Sequence, residues 1–253
     1  MDATGSAPTV AGIASEVRRQ AELAGIAVRF AGSYAVRFHC SDNADVLDRM
    51  GRASILDLDL VVPRRSGSKV AGILEGMGFV SDRRIAQATD GQHFYLVHPS
   101  TKMGVDIYAG GMNYCHPIPL EDRLSADPLT IPLAELLLSK LQVVKITDKD
   151  LQDTAVLLLS HEISHQDQDA IDGDRITEIL AKDWGFYYTV VGNLNTMLGR
   201  LGVYALEADQ REVAASRAKH LLALIEGAPK DVRWRLRARL GTKVSWYQEV
   251  EEK

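Results

Sequence analysis

Hydrophobic and polar positions along this chain follow two different periods, and the change of period divides the sequence. Before Pro128, short apolar runs bounded by glycine or proline alternate with stretches of helical spacing, which predicts a mixture of strands and helices. The predicted strands are 26–30, 55–62, 93–97 and 104–108, and the predicted helices are 10–23, 34–39 and 68–77. The polar segment 41–52 is predicted to be a loop.

After Pro128 the helical period dominates. Pro132 suits the first turn of a helix, and Asp148 is predicted to be the N-cap of the next one. The predicted helices after the one at Pro132 are 148–159, 174–183, 187–201, 205–226 and 231–240. Strands with helices, followed by helices alone, predict an α+β domain over residues 1–128 and a helical domain over residues 129–253.

Composition and charge narrow the class of protein. The chain has 253 residues, 46% hydrophobic residues, 25% charged residues and a net charge of -5, which is typical of a globular protein without a generally basic surface. Two cysteines form no disulfide framework, so we expect a reducing cytoplasmic location. Met1–Gly5 does not resemble the start of a signal peptide, and no apolar run has the length of a membrane span.

The candidate chemistry begins with an acidic pair, Asp57 and Asp59, in the apolar run 55–62. Residues two apart on a strand point to the same face, so the two carboxylates lie side by side. A divalent cation would neutralise their repulsion, and Mg²⁺ prefers one or two carboxylates together with substrate phosphates. A strand with one polar, solvated face explains the same alternation, so both interpretations stay open at this point.

Two further motifs flank that pair. Gly32-Ser33 falls between a predicted strand and a short helix, where a glycine, a hydroxyl and backbone N–H groups suit phosphate oxygens. The alternative is an ordinary turn. Asp106 lies between apolar residues on a later predicted strand, and a buried acid there needs a partner. If the two acidic strands are neighbours, all three carboxylates meet at one end of the sheet.

The order Gly32-Ser33, Asp57-x-Asp59, Asp106 resembles the nucleotidyltransferase superfamily of the DNA polymerase β type. A second block, Glu135 to Gln142 with Lys140, followed by Asp150-x-x-Asp153, is similar to the paired lysine and Asp-x-x-Asp motifs of AbiEii-like nucleotidyltransferases, a group that includes MenT-like toxins. The resemblance covers residues 27–160. It implies a mixed sheet with flanking helices, followed by a helical domain that contributes Lys140 and Asp150.

The resemblance implies an enzyme that transfers a nucleoside monophosphate from an NTP such as ATP to an acceptor hydroxyl and releases pyrophosphate. Gly32 and Ser33 would contact the NTP phosphates. Asp57 and Asp59 would hold Mg²⁺ or Mn²⁺. Asp106 matches the third superfamily carboxylate, as a further metal ligand or a base.

The second block completes the implied site. Lys140 would steady the triphosphate or the developing charge, and Asp150 would assist near the metal or the attacking group. The start Ala31-Gly32-Ser33 departs from the commoner Gly-Gly or Gly-Ser-x-Ala pattern, and the polar segment 41–52 is inserted between the first two motifs.

The acceptor and the partners are less defined by the motifs. Candidate acceptors are a tRNA 3′ end, a protein side chain and a small molecule such as an aminoglycoside, and a toxin-like enzyme would have an antitoxin protein as a partner. No membrane is expected as a partner. The rival class is a non-catalytic nucleotide-binding or protein-interaction module with the same fold. The retained Asp57, Asp59, Lys140 and Asp150 favour the enzyme, because a decayed site would have lost one of them.

Other polar clusters suggest weaker hypotheses. His161, His165 and Asp169 have four-residue spacing but lie in a polar stretch, which favours a surface loop over a metal site. The basic segment from Lys230 to Lys243 has three interpretations: RNA binding, contact with the acidic tail Glu249-Glu251-Glu252, or an ordinary solvated helix.

Overall fold

The structure, a computed structural model that describes residues 9–249, is a mixed α+β fold. The coarse fold prediction is therefore confirmed. Two predictions fall outside the described residues: the one on Met1–Gly5, and the part of the acidic tail formed by Glu251 and Glu252. None of the helices within residues 9–249 has both the length and the apolar character needed to cross a membrane.

A five-stranded mixed sheet organises the first half of the chain. Its strands are β1 (Arg29–Ala31), β2 (Asp57–Val62), β3 (Val80–Ser81), β4 (His93–Val97) and β5 (Gly104–Ala109), in the order β1-β2-β5-β4-β3. The central neighbours β2 and β5 run parallel, and the other pairs are antiparallel. The strand that carries Asp57 and Asp59 and the strand that carries Asp106 are therefore neighbours. This is the condition under which their carboxylates can lie close together.

Helices alternate with these strands along the chain. They are α1 (Val10–Leu23), α2 (Gly32–His39), α3 (Ala44–Arg49), α4 (Gly67–Gly76) and α5 (Arg83–Ala88). The predicted helices 10–23, 34–39 and 68–77 are confirmed to within two residues at each end. Helix α5 and strand β3 are too short to give a clear periodic signal, and the sequence did not predict them.

Alternation along the central strands separates a core face from a polar face. The apolar residues Leu58 and Leu60 on β2 and Val105 and Ile107 on β5 are fully buried in one hydrophobic core. This core also includes apolar residues of α1 and α4, such as Val17 of α1. Because side chains alternate between the faces of a strand, the acidic residues of β2 and β5 point away from this core.

The remaining chain is mostly helical, as predicted from Pro132 onward. Short strands β6 (Gly111–Asn113) and β7 (Pro117–Pro119) come first, and β8 (Ile163–Ser164) and β9 (Ile171–Asp172) form a two-stranded parallel pair. The helices are α6 (Leu133–Leu141), α7 (Asp148–Ser160), α8 (Gly173–Leu180), α9 (Trp184–Arg200), α10 (Ala208–Gly227) and α11 (Val232–Leu240).

Two local predictions are wrong. The segment 41–52 is not a loop: it contains a 3₁₀ turn (Ser41–Asn43) and helix α3, whose Val46 and Leu47 are buried. Burial of two adjacent apolar side chains outweighs the polar character of the segment. The N-cap of α7 is Thr147 and not Asp148, since the Thr147 hydroxyl accepts a hydrogen bond from the Asp150 backbone N–H.

The chain divides into two compact units that are interleaved in sequence. The first unit contains the residues up to 34 together with 54–112 and 119–131, and it holds the five-stranded sheet. The second unit contains 35–53, 113–118 and the chain from 132 onward, and it holds helices α6 to α11.

Candidate functional site

Three acidic residues of β2 and β5 lie on the polar face of the sheet. Asp59 of β2 lies directly opposite Asp106 of β5, and Asp57 lies opposite Gly104. Neighbouring strands are about 4.8 Å apart, so the register makes Asp59 and Asp106 immediate neighbours on one face. Asp57 is exposed at the first position of β2, Asp59 is half-buried, and Asp106 is only 7% exposed.

Gly32 closes one side of this acidic cluster. Ala31 of β1 pairs with Asp59, so the next residue, Gly32, reaches the Asp59 side chain. A Cβ atom built on Gly32 would lie 1.8 Å from Asp59 Oδ2. The φ angle of Gly32 is +60°, a backbone conformation that favours glycine. Ser33 follows as the second residue of α2. The predicted motifs Gly32-Ser33 and Asp57-x-Asp59 therefore meet in the structure at Gly32 and Asp59.

His93 joins the cluster, although its sequence context alone does not predict a role for it. Its Nε2 atom lies 2.6 Å from Asp106 Oδ1, and its ring stacks on Tyr108 with a centroid distance of 4.8 Å and an interplanar angle of 13°. Strand β4 pairs antiparallel with β5, so His93 lies opposite Tyr108, two residues beyond Asp106. His93 and Tyr95 alternate on the predicted strand 93–97, but only the register with β5 identifies the neighbour of His93.

The carboxylates match the ligand chemistry of Mg²⁺ or Mn²⁺ in one specific way. Within the part of the chain from residue 9 to residue 249, no group of three or more His, Cys, Asp and Glu side chains is arranged to hold a metal ion. The acidic cluster of the described residues is therefore not a closed metal site in which the protein supplies every ligand. It does fit Mg²⁺, which is commonly held by one or two carboxylates and completes its shell with water and substrate phosphates. Asp57 and Asp59 are the candidate ligands.

A second charged cluster lies in the second unit, at helices α6 and α7. Lys140 Nζ of α6 is 2.9 Å from Asp153 Oδ2 and 3.7 Å from Asp150 Oδ1. Arg52 forms a two-pronged ion pair with Asp153, with both N–O distances at 2.9 Å. The structure thus brings together Lys140 and Asp150 of the predicted second block. It adds Arg52, which lies at the end of the segment 41–52 that was predicted to be a loop.

Burial and charge act in opposite directions on Asp153, whose side chain is 1% exposed. Burial raises its pKa, but the positive charges of Lys140 and Arg52 and their hydrogen bonds outweigh this effect, so the pKa lies below its usual range. Asp153 therefore stays ionised and holds both cations. Lys140 is itself only 8% exposed, which fixes the position of its ammonium group.

The start of α7 places Asp150 beside Lys140. Thr147 and Asp150 exchange hydrogen bonds: the Asp150 N–H donates to the Thr147 hydroxyl, and this hydroxyl donates to Asp150 Oδ2 at 2.7 Å. Asp150 keeps 22% of its side chain exposed, against 1% for Asp153. Of the two acids, Asp150 is therefore the one accessible to a ligand, while Asp153 is a buried counter-ion.

The weaker polar clusters have structural roles. The His161 ring nitrogens lie 3.2 Å from the backbone carbonyls of Asp169 and His39, and His165 is exposed beside Asp174. On α11, Arg237 packs over the Trp184 ring. Three exposed arginines, Arg233, Arg235 and Arg239, leave RNA binding by this helix as a prediction.

Comparison with known proteins does not assign the sequence to a family. Neither the family models nor the characterised proteins searched include a significant match to this sequence.

Proposed function

We propose that this chain is a metal-dependent nucleotidyltransferase that moves a nucleoside monophosphate from an NTP to an acceptor hydroxyl. The observation that carries the proposal is the register of Asp59 opposite Asp106, with Asp57 on the same face and Gly32 against the Asp59 carboxylate. Three acids on one polar sheet face, two of them on adjacent strands in register, form a negatively charged cluster that a bound divalent cation would stabilise.

In the proposed reaction, the acceptor oxygen forms a bond to the α-phosphorus of the NTP, and the bond from that phosphorus to the bridging oxygen breaks. Pyrophosphate leaves with the electron pair of that bond, and the hydroxyl proton passes to water. Such transfer depends on positioning and charge neutralisation more than on covalent catalysis. A bound Mg²⁺ would neutralise the phosphate charge and clamp the reacting oxygens.

The chain's own residues would then have separate roles. Asp57 and Asp59 hold the cation, and Asp106 adds negative charge beside Asp59. Gly32 has no side chain, so the Asp59 carboxylate keeps its position. The resemblance implies that Lys140 would steady a triphosphate, and within the second unit Asp153 holds its ammonium group at 2.9 Å. Asp150 is the accessible acid of that second cluster.

Nucleotide binding is tested by thermal unfolding of the full chain with each NTP, with and without Mg²⁺. We expect stabilisation by an NTP only when Mg²⁺ is present, and we expect Asp57→Asn/Asp59→Asn to abolish it. Asp122→Asn, a change at an exposed acid of the same unit, is the matched control and should respond like the wild type. Equal stabilisation of the double variant would refute the proposed metal site.

Transfer itself is tested by incubating the protein with each α-³²P-labelled NTP and a total cell extract. Label in RNA, in protein or in the small-molecule fraction identifies the acceptor class, and the exposed arginines of α11 suit the phosphates of an RNA. Binding of NTP without label in any fraction, under both Mg²⁺ and Mn²⁺, would favour the rival class, a non-catalytic nucleotide-binding module.

A further inference from the structure

His93 is held in a fixed position beside the acidic cluster. Its backbone N–H donates to the Thr89 hydroxyl at 3.1 Å, and the same hydroxyl lies 2.8 Å from the Ile85 carbonyl oxygen. The side chain is 19% exposed, and its ring is stacked on Tyr108. Contacts on the backbone and on the ring thus orient the Nε2 atom toward Asp106.

The contact with His93 stabilises the buried carboxylate of Asp106. This carboxylate is 90% or more buried and stands next to a second acid, Asp59, in the neighbouring strand. A buried carboxylate requires hydrogen-bond donors, and a like charge beside it increases that requirement. An ionised carboxylate can only accept, so at 2.6 Å the Nε2–H group of His93 is the donor and Asp106 Oδ1 the acceptor.

We propose that His93 is a positioning residue, which orients the Asp106 carboxylate beside Asp59 and thereby strengthens divalent-cation binding at the acidic cluster. This inference rests on the proposed function. Carboxylates at metal sites are themselves held by hydrogen bonds, and loss of such an outer partner typically costs about 10- to 100-fold in metal affinity. A histidine kept only for packing would leave cation affinity unchanged when its ring was replaced by another aromatic ring.

Two variants of His93 separate the hydrogen bond from the packing. His93→Phe keeps an aromatic ring over Tyr108 but has no donor, whereas His93→Gln keeps an N–H group of similar reach and loses the ring. Mn²⁺ binding to the full chain without nucleotide is measured by calorimetry and by electron paramagnetic resonance. We expect His93→Phe to weaken Mn²⁺ binding about 10- to 100-fold and His93→Gln to retain most of the wild-type affinity.

A double-mutant cycle with Asp106→Asn identifies the route of the effect. If His93 acts through Asp106, the change His93→Phe has no additional effect on Mn²⁺ affinity in the Asp106→Asn background. A full, additive loss in that background would overturn the proposal, as would wild-type affinity in His93→Phe. If His93→Phe does not fold, as judged by circular dichroism, His93→Leu takes its place as the variant without a donor.

The same measurements distinguish failure of the inference from failure of the proposed function. If the wild type binds Mn²⁺ and Asp59→Asn does not, the cation site stands, and the His93→Phe result decides the role of His93. If the wild type binds no Mn²⁺ or NTP, the proposed function is wrong, and the role assigned to His93 is overturned with it.

Discussion

Gly32 and the carboxylate of Asp59 lie so close that any side chain at position 32 would force the Asp59 side chain to move. A Cβ atom there would be 1.8 Å from Asp59 Oδ2. Gly25 provides a natural comparison, because it has nearly the same backbone angle, φ +67° against +60°, but nothing lies within 4 Å of its virtual Cβ. The two glycines therefore separate the cost of the backbone conformation from the cost of contact with the acidic cluster.

We predict that Gly25→Ala lowers the free energy of unfolding by about 1–2 kcal/mol, the cost of a left-handed backbone for a residue with a Cβ. Gly32→Ala should cost more, because it adds the clash with Asp59, and it should also weaken Mg²⁺-dependent nucleotide binding. Urea unfolding and the thermal-shift assay measure the two effects. Equal losses of stability in the two variants would contradict the close approach.

Asp153 should be the most sensitive residue of the second cluster. Asp153→Ala leaves Arg52 and Lys140 without their buried counter-ion, and we expect a loss of about 3–5 kcal/mol in the free energy of unfolding. Asp150→Ala, on the same helix, removes a more exposed acid and its bond with Thr147, and should cost about 1 kcal/mol. Urea unfolding of both variants at pH 7 tests this order, and a reversed order would contradict it.

His116 should make the stability of the protein depend on pH. Burial lowers its pKa from 6.5 to about 4. Its Nε2 atom lies 2.9 Å from the Thr189 hydroxyl oxygen, within hydrogen-bond distance, and its ring stacks on Phe186. Because the unfolded chain binds the proton more readily, this contribution to stability is complete above pH 6.5 and is lost as the pH falls toward 4, at about 1.4 kcal/mol per pH unit.

The variant His116→Phe keeps a stacking ring and removes the titrating group. Its free energy of unfolding should depend less on pH between 6.5 and 4 than that of the wild type. His220→Gln, a change at an exposed histidine of the same unit, should retain the wild-type dependence. Denaturant unfolding across this range provides the comparison, and an unchanged slope in His116→Phe would refute the assignment.

The two cysteines should differ sharply in reactivity. Cys40 is fully buried, and burial raises the pKa of its thiol to about 12, so at pH 8 about one molecule in ten thousand carries the reactive thiolate. Cys115 is half-buried. We expect iodoacetamide to label Cys115 in the native protein and both cysteines in urea, as read by peptide mass spectrometry. Rapid native labelling of Cys40 would show that the second unit opens easily.

The sequence predicted the elements that have long or strictly alternating patterns. The hydrophobic pattern correctly predicted the strand with Asp57 and Asp59 and the strand with Asp106. It also predicted the helices of the second half of the chain. The sequence could not supply the register between strands, and the contact of His93 with Asp106 depends on that register.

Short elements and distant contacts were also beyond the sequence. Helix α3 has only two buried apolar residues, Val46 and Leu47, which is too few to establish a helical period. Arg52 reaches Asp153 across 101 positions of sequence, a contact that no local pattern encodes. The assignment of a nucleotidyltransferase therefore stays a prediction that rests on the order of the motifs and on the geometry of the acidic cluster.

The pairing of Arg52 with Asp153 also constrains the order in which the protein can fold during synthesis. A ribosome adds about 5–20 residues per second, so Asp153 is made about 5–20 seconds after Arg52. During that interval Arg52, which lies just after α3, lacks its Asp153 counter-ion. The second unit therefore cannot complete its core until α7 has left the ribosome, although its first residues are among the earliest to be translated.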